Sequence, residues 1–206
     1  MVEIRKYKNV EYVFRTPDDF DESKKYPVML YIHGAGGLGQ GAEFLKNNFA
    51  VNTKLDLNSL QMIVISPYCH SSTWFAMFEQ LVDFVEFIPM EAYADPHRYY
   101  VMGSSMGGYT TWQLIMTKPD LFAAAVPICG GGMYWNAGTL VNLPIWAFHG
   151  ELDDIVYPCE SKHMVDAVNK FGGNAKLTIV PGVAHNAWDT ALASKELFDW
   201  MKSKTR

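Results

Sequence analysis

The sequence has few cysteines and no closely spaced cysteine pair. Cys69, Cys129 and Cys159 are the only three, an odd number without the C-x-x-C spacing of a zinc or redox site. We therefore expect reduced thiols in a reducing compartment, of which the cytoplasm is the simplest. The opening segment MVEIRKYK has no apolar stretch behind its charges, so it does not read as a secretory signal.

Long apolar runs and basic runs are also missing. No segment approaches the roughly 20 consecutive apolar residues of a membrane span, so no membrane partner is expected. The chain has 17 Lys plus Arg and 22 Asp plus Glu, a formal net charge of −5. Because Lys and Arg are scattered, nucleic acid is not an expected partner either. With 206 residues, 49% of them hydrophobic, residues 1–206 are predicted to form a single domain.

Short apolar runs alternate with longer stretches of helical spacing. This alternation is typical of an α/β protein with a mostly parallel central sheet and helices on both faces. Strands are predicted at residues 28–33, 62–67, 99–103, 123–128 and 145–149 in the centre, 176–180 nearer one edge, and 10–14 antiparallel at the other edge. Helices are predicted at residues 74–87, 107–116, 159–171 and 187–201.

A glycine-flanked serine follows the third central strand. Gly103, Ser105 and Gly107 form the pattern G-x-S-x-G between a predicted strand and a predicted helix, which is the context of a nucleophile elbow. The tight turn needs small flanking residues and lifts the central serine away from the backbone, so Ser105 is the candidate nucleophile. The alternative is a glycine-rich connection in which Ser104 or Ser105 only caps the helix.

Donors for an oxyanion are expected on both sides of this serine. The segment HGAGG at residues 33–37 ends the first central strand, where an acyl-transfer enzyme of this architecture places one backbone N–H donor. The N–H of Met106, at the start of the helix after the serine, would be the second donor. His33 itself is expected to be a hydrogen-bonded core residue.

An acid and a base follow the serine in the chain. Asp153 and Asp154 come after a central strand, and His185 follows the last strand. The order Ser, Asp, His is that of α/β-hydrolases, and ligands bind at the carboxyl ends of the strands in open α/β sheets. His149 is expected to pack in the interior, and His163 is expected to lie on the surface. Either aspartate could instead cap the loop that carries it.

These segments together resemble the α/β-hydrolase superfamily, and within it the compact esterases grouped with feruloyl esterases, polyhydroxybutyrate depolymerase-like esterases and predicted peptidases. The resemblance rests on HGAGG at residues 33–37, DPHRYYVMGSSMGGY at 95–109, LFAAAVPICGGG at 121–132, PIWAFHG at 144–150 and PGVAHNAW at 181–188. It implies Ser105 as nucleophile, Asp153 as orienting acid and His185 as base. It also implies an oxyanion hole made by the N–H groups of Ala35 and Met106.

The expected activity is cleavage of a small-molecule carboxylic ester through an acyl-enzyme, without a metal or organic cofactor. The connection at residues 130–142 is too short for a lid, which predicts an open site for short or compact acyl groups such as acetyl or hydroxycinnamoyl. The alternatives are a peptidase with the same residues and a catalytically silent binding protein.

Candidate substrate contacts are loop residues at carboxyl strand ends: Tyr68, His70, Trp74, Met133, Tyr134 and Trp135, with Trp74, Tyr134 and Trp135 preferred.

Overall fold

The computed structural model describes residues 1–206, and an eight-stranded sheet forms its centre. In chain order the strands are β1 (Val2–Tyr7), β2 (Val10–Arg15), β3 (Tyr26–Ile32), β4 (Ile63–Pro67), β5 (Ala94–Ser104), β6 (Ala124–Ile128), β7 (Ile145–Gly150) and β8 (Ala175–Val180). Across the sheet the order is β1-β2-β4-β3-β5-β6-β7-β8. β2 pairs antiparallel with β1 and β4, and all other neighbours are parallel.

Eight α-helices accompany the sheet. They are α1 (Ala42–Asn48), α2 (Ala50–Thr53), α3 (Leu57–Leu60), α4 (Phe78–Phe87), α5 (Met106–Thr117), α6 (Cys159–Lys170), α7 (Trp188–Ala193) and α8 (Lys195–Lys202). Short 3₁₀ helices lie at Ala35–Gly37, Phe75–Met77, Ile88–Met90 and Tyr134–Leu140. No helix combines the length and the apolar character that crossing a membrane requires.

The central strands are buried along their whole length because helices cover both faces of the sheet. Every residue of β3, β4, β6 and β7 is buried, which explains why these strands are continuous apolar runs in the sequence. One hydrophobic cluster includes Phe84 of α4 and Trp112 of α5. A second cluster includes Leu197 and Met201 of α8, and together the two clusters form the core.

The predicted edge strand at residues 10–14 is not at the edge. β2 does pair antiparallel, as predicted, but β1 pairs with its outer side from Val2 to Tyr7. The sequence VEIRKY of β1 alternates between exposed and half-buried positions, and it carries too few apolar residues to be recognised as a strand. A strand on the rim of a sheet buries little surface, so its sequence gives a weak hydrophobic signal.

The predicted helix at residues 187–201 is in fact two helices. Ser194 has extended backbone angles (φ −82°, ψ 103°), and its hydroxyl accepts a hydrogen bond from the Leu197 N–H at 3.1 Å. This N-cap ends α7 and starts α8, because a serine side chain satisfies a free amide at a helix start.

The three short helices α1 to α3 were not predicted. The segment at residues 130–142 forms only the 3₁₀ helix Tyr134–Leu140, so no lid domain is present.

Candidate active site

Ser105 lies on the sharp turn that connects β5 to α5. Its backbone has φ 57° and ψ −121°, a conformation that is costly for a residue with a side chain and persists only where the surroundings impose it. A Cβ on Gly107 would overlap the carbonyl of Ile32 on the neighbouring strand β3. The glycine two residues after the serine is therefore required for the helix to start this close to the sheet.

Ser104 and Ser105 have different environments. Ser104 is buried, and its Oγ lies 2.9 Å from the hydroxyl of Tyr31. The Ser105 side chain makes no capping hydrogen bond to α5, although it occupies the N-cap position. The capping alternative therefore does not describe Ser105, whose hydroxyl is directed at a different partner.

That partner is His185, in the loop between β8 and α7. The Oγ of Ser105 lies 2.8 Å from His185 Nε2, and His185 Nδ1 lies 2.8 Å from Oδ2 of Asp153. A carboxylate can only accept here, so Nδ1 carries a proton and Nε2 is free to accept from the serine hydroxyl. The structure thus brings Ser105, His185 and Asp153 into one hydrogen-bonded line.

Asp153 is buried in the loop after β7, while Asp154 beside it is exposed. Oδ1 of Asp153 accepts hydrogen bonds from the N–H groups of Ile155 at 3.1 Å and Val156 at 2.9 Å. Burial by itself would raise the pKa of Asp153, but the hydrogen bonds from His185, Val156 and Ile155 outweigh it and hold this pKa below its ordinary value. Asp153 is therefore an anion beside His185 at neutral pH.

The loops that carry Asp153 and His185 pack directly on each other. The N–H of Leu152 donates to the carbonyl of Val183 at 2.9 Å. A Cβ on Gly150, at the end of β7, would overlap the carbonyl of Ala184, the residue before His185. Glycine at position 150 thus permits the close approach that sets the distance between the carboxylate and the imidazole.

The two predicted oxyanion donors lie close to Ser105, because Met106 follows it in the chain and Ala35 lines the same cavity. Ala35 starts a 3₁₀ helix and Met106 starts α5, so neither N–H has an intrahelical carbonyl partner. Gly34 and Ala35 line the same cavity as Ser105 and His185. The arrangement is compatible with two backbone donors aimed at an oxygen bound next to Ser105.

His33 supports this loop from the core, as the sequence predicted. Its Nδ1 lies 2.7 Å from the carbonyl of Gly34, and its Nε2 accepts from the N–H of Cys69 at 3.0 Å. Burial lowers the pKa of His33 to about 4 against the opposing hydrogen bond to Gly34, so the ring is neutral.

The expectation that Trp74 contacts substrate is wrong: Trp74 is fully buried, and its Nε1 donates to the His33 carbonyl at 2.9 Å.

A cavity of about 540 Å³ opens beside Ser105, within the range of small-molecule sites. None of the six loop residues named from the sequence lines it. Tyr134 and Trp135 are exposed, and Tyr134 borders a separate depression together with His163 of α6. They follow β6, as predicted, but the 3₁₀ helix that begins with them packs against α6, and neither residue lines the cavity.

The actual walls of the cavity come from segments that the sequence did not single out. Besides residues 34–36, 104, 105 and 185, the cavity is lined by Tyr31, Asn48, Phe49, Ala50, Lys54, Ile155, Trp188 and Asp189. Asn48 ends α1 and Ala50 starts α2, and Phe49 lies between these two unpredicted short helices. Trp188 could have been found because it follows His185 by three residues, and its ring lies 5.4 Å from the imidazole in an edge-on arrangement.

Cys129, Asp153 and His185 place a sulfur, a carboxylate oxygen and a ring nitrogen within 4.8 Å of one another. Such a set could in principle hold a metal ion. Burial raises the pKa of the Cys129 thiol to about 12, whereas a metal ligand must be a thiolate. Asp153 and His185 are already hydrogen-bonded to each other, so the donor set fits a proton relay better than a metal site.

Comparisons with known proteins find similarity to esterases and peptidases. Residues 75–136 match the prolyl oligopeptidase family. Dipeptidyl-peptidase 5 of Porphyromonas gingivalis is 23% identical over 90% of the chain, which spans 34% of that protein's length. A thermostable esterase of known structure is 26% identical with a TM-score of 0.82, over 100% of this chain and 63% of that one. A feruloyl esterase module from Clostridium thermocellum is 18% identical with a TM-score of 0.70, over 98% and 86%.

The sheet order, the serine turn and the hydrogen-bonded line of three residues define the class of this protein as an α/β-hydrolase. Its relatives in that superfamily include both esterases and peptidases. The chain therefore has the α/β-hydrolase fold, and its residues 75–136 are similar to the prolyl oligopeptidase family. It spans about a third or less of the length of the curated relatives it matches.

Proposed function

We propose that the protein hydrolyses carboxylic esters with short or compact acyl groups. The observation that carries the proposal is the line from Ser105 Oγ to His185 Nε2 and from His185 Nδ1 to Asp153, at 2.8 Å in both steps. These distances are those that a general base needs to remove a proton from a nucleophile. Two free backbone N–H groups flank the serine, and an open cavity gives a small ester access to it.

The proposed reaction has two steps. Ser105 Oγ attacks the ester carbonyl while its proton passes to His185 Nε2, and the N–H groups of Ala35 and Met106 stabilise the oxyanion. The tetrahedral species collapses, the C–O bond to the alcohol breaks, and His185 returns the proton to the leaving oxygen. Water then attacks the acyl-enzyme by the same route and releases the acid and Ser105.

The composition of the cavity supports a compact, partly apolar acyl group. Phe49, Ile155 and Trp188 offer apolar surface, whereas Asn48, Lys54 and Asp189 offer polar atoms. Because apolar burial contributes about 25 cal/mol per Å², contact with these three side chains would hold an acetyl, butyryl or hydroxycinnamoyl group. No lid encloses the cavity, so little further surface is available to a long chain.

Peptide hydrolysis is the second candidate, because the matched family and the Porphyromonas gingivalis relative are peptidases by name. An amide requires the same attack, followed by protonation of a poorer leaving group by His185. A panel of nitrophenyl acetate, acetylated sugar and hydroxycinnamoyl esters, run beside aminoacyl and dipeptidyl nitroanilides, separates the two. Faster turnover of the nitroanilides would replace the ester proposal with the peptidase.

The decisive test is the pair Ser105→Ala and Ser104→Ala. We expect Ser105→Ala to lose turnover of nitrophenyl acetate and covalent labelling by a fluorophosphonate, with an unchanged circular dichroism spectrum. Ser104→Ala should retain most activity, because its hydroxyl is engaged with Tyr31. A wild-type protein that resists the fluorophosphonate would support the catalytically silent alternative, and equal losses in both variants would refute the assignment of Ser105.

A further inference from the structure

One wall of the cavity is formed by a bend in the chain. Residues 48–50 connect α1 to α2, and all three line the cavity beside Ser105. Phe49, the central residue, is half-buried and has extended backbone angles (φ −83°, ψ 133°), so it belongs to neither helix. Its ring lies 5.9 Å from that of His33, which supports the loop of the predicted donor Ala35. The position of Phe49 therefore limits the cavity on the side of this loop.

The side chain of Asn52 spans the bend from within the core. Asn52 is only 5% exposed, and its Nδ2 donates to the carbonyl of Leu45 in α1 at 3.0 Å. Its Oδ1 accepts from the Oγ of Ser66 in β4, also at 3.0 Å. The Leu45 carbonyl can only accept, so the amide nitrogen must face it, and the amide oxygen then faces the serine hydroxyl. Asn52 thus ties the last turn of α1 to the central sheet.

Backbone hydrogen bonds connect the same asparagine to Phe49. The carbonyl of Phe49 accepts from the N–H groups of Asn52 at 2.9 Å and Thr53 at 3.0 Å. The N–H of Phe49 donates to the Leu45 carbonyl at 3.2 Å. The Leu45 carbonyl therefore has two donors, one from each side of the bend. Removal of the Asn52 side chain would delete one of these donors together with the bond to β4.

A second anchor holds the far end of α2. Arg15 of β2 donates from Nη1 to the Val51 carbonyl at 3.1 Å and from Nη2 to the Leu55 carbonyl at 2.6 Å. β2 and β4 are neighbours in the sheet, so both anchors reach the same part of the fold. Loss of the Asn52 side chain should therefore free the Phe49 end of the segment, while Arg15 keeps α2 on the sheet.

We propose that Asn52 is a positioning residue for substrate choice, which holds Phe49 against the acyl chain of an ester through its two side-chain hydrogen bonds. Asn52 does not line the cavity, so its effect on the substrate passes through Phe49. The proposal rests on the proposed function, in which a compact acyl group lies against the cavity walls. Ser105 and its two partners follow β5, β7 and β8, so the reacting groups stay in place when this wall moves.

The preference for chain length separates this role from a general loss of stability. Butyrate has two more methylenes than acetate, and their burial would contribute up to about 15-fold in binding. We expect Asn52→Ala to lower the butyrate-to-acetate ratio of kcat/KM on nitrophenyl esters by about threefold to tenfold, mainly through KM. Its kcat on acetate should change by less than about threefold.

Two further variants complete this comparison. Ser66→Ala removes only the bond to Oδ1 of Asn52, should lower the same ratio, and serves if Asn52→Ala does not fold. Asn47→Ala is the matched control, because Asn47 is an exposed asparagine of α1 that donates to Glu43 and does not line the cavity. It should leave the ratio unchanged. An unchanged ratio in both Asn52→Ala and Ser66→Ala overturns the proposal.

A double-mutant cycle tests whether Asn52 acts through Phe49. In the Phe49→Ala background the ring that Asn52 positions is gone, so Asn52→Ala should no longer change the ratio. An equal drop of the ratio in both backgrounds would show that Asn52 does not act through Phe49, and the proposal would be wrong.

Amide hydrogen exchange tests the anchor without turnover. We expect the N–H groups at positions 49, 52 and 53 to exchange at least about tenfold faster in Asn52→Ala and Ser66→Ala than in the wild type, with those of β4 unchanged. In the wild type the side-chain NH₂ of Asn52 should itself exchange slowly, and rapid exchange there overturns the proposal whether or not the variants fold. Failure of fluorophosphonate labelling counts against the proposed function but leaves the exchange result unaffected.

Discussion

At the scale of residues, the site twice places identical neighbours in different surroundings. Ser105 contacts His185 while Ser104 bonds to Tyr31, and Asp153 contacts His185 while Asp154 is exposed. In both pairs the backbone turn directs one side chain into the site and the other away from it. The residue type alone therefore does not show which member of each pair acts in the site. Substituting the two members of a pair in the same way tests this, because each serves as the control for the other.

Substituting each aspartate by asparagine tests the second pair. Asparagine keeps the shape of Asp153 but donates where the carboxylate accepts, which favours the wrong tautomer of His185. In serine proteases, replacing the triad aspartate by asparagine lowers turnover by about 10⁴-fold. We therefore expect Asp153→Asn to lose several orders of magnitude in kcat. Asp154→Asn should lose less than about tenfold. Both are measured on nitrophenyl acetate with proteins shown to be folded, and the opposite ranking would move the acid to Asp154.

The sequence allowed prediction of these residues to different extents. Ser105 and His185 were identified because a short glycine pattern and a fixed chain order specify the chemistry. Trp74 was misplaced because exposure depends on tertiary packing, and the same loop position could have faced the cavity or the core. Phe49 was missed because its segment consists of short helices with little periodicity.

At the scale of elements, the site depends on how closely two loops approach. The ends of β7 and β8 carry Asp153 and His185, and the backbone at Gly150 meets the backbone at Ala184 without room for a side chain. Hydrogen bonds from Glu151 to Val180 and from Leu152 to Val183 hold the two loops in register. A small change in this register would alter the distance between carboxylate and imidazole.

Gly150→Ala tests this element directly. The added methyl group must displace the Ala184 backbone, so we expect stability to fall by about 1–3 kcal/mol, as for other overpacked sites, and kcat to fall at least tenfold. Gly138→Ala is the matched control, since a Cβ there has only ordinary contacts of 3.5 Å with Phe171. Unfolding in urea and initial rates on one ester measure both effects. Equal behaviour of the two variants would show that the approach at Gly150 is not required.

The sheet could be predicted from the sequence far better than the helices around it. The fully buried strands β3, β4, β6 and β7 are continuous runs because both faces are covered, and each was found within two residues of its bounds. β1 was missed because a rim strand needs little apolar surface. The division of the last helical segment at Ser194 was missed because one hydroxyl decides between one helix and two, while the apolar pattern continues through it.

At the scale of the whole molecule, buried titratable groups make folding depend on pH. His33 is neutral in the folded protein, with its pKa lowered from 6.5 to about 4. In the unfolded chain the same ring takes up its proton near pH 6.5, so the unfolded state binds more protons between pH 6.5 and 4. The free energy of unfolding must therefore decrease as the pH falls through this window. Below it, protonation of Asp153, whose folded pKa is lowered, continues the loss.

The contribution of His33 can be measured by urea unfolding at pH 7 and pH 4. A shift of this size corresponds to about 3 kcal/mol. We expect the loss of stability between these two pH values to be smaller by about that amount in His33→Gln, which cannot titrate. The same measurement on His163→Gln, which removes an exposed histidine, provides the control. An identical pH dependence in His33→Gln and wild type would contradict the lowered pKa.

The absence of a lid has consequences for the choice of substrate. A methylene that becomes buried contributes about 0.8 kcal/mol, which corresponds to about fourfold in binding. The cavity of about 540 Å³ is open, and its rim residue Ile155 is 69% exposed. Only the first methylenes of an acyl chain can be buried there, and further ones remain in water.

We therefore expect kcat/KM on nitrophenyl esters to rise from acetate to butyrate and then to level off or fall. The rate should not jump when the substrate passes its micellar concentration, because residues 130–142 form no lid that an interface could open. Phe49→Ala removes one apolar wall and should lower the rate on butyrate more than on acetate. Trp135→Ala removes an exposed aromatic outside the cavity and should change neither. A preference for chains of about ten carbons or more, with interfacial activation, would mean that a long acyl chain is buried on a surface other than this cavity.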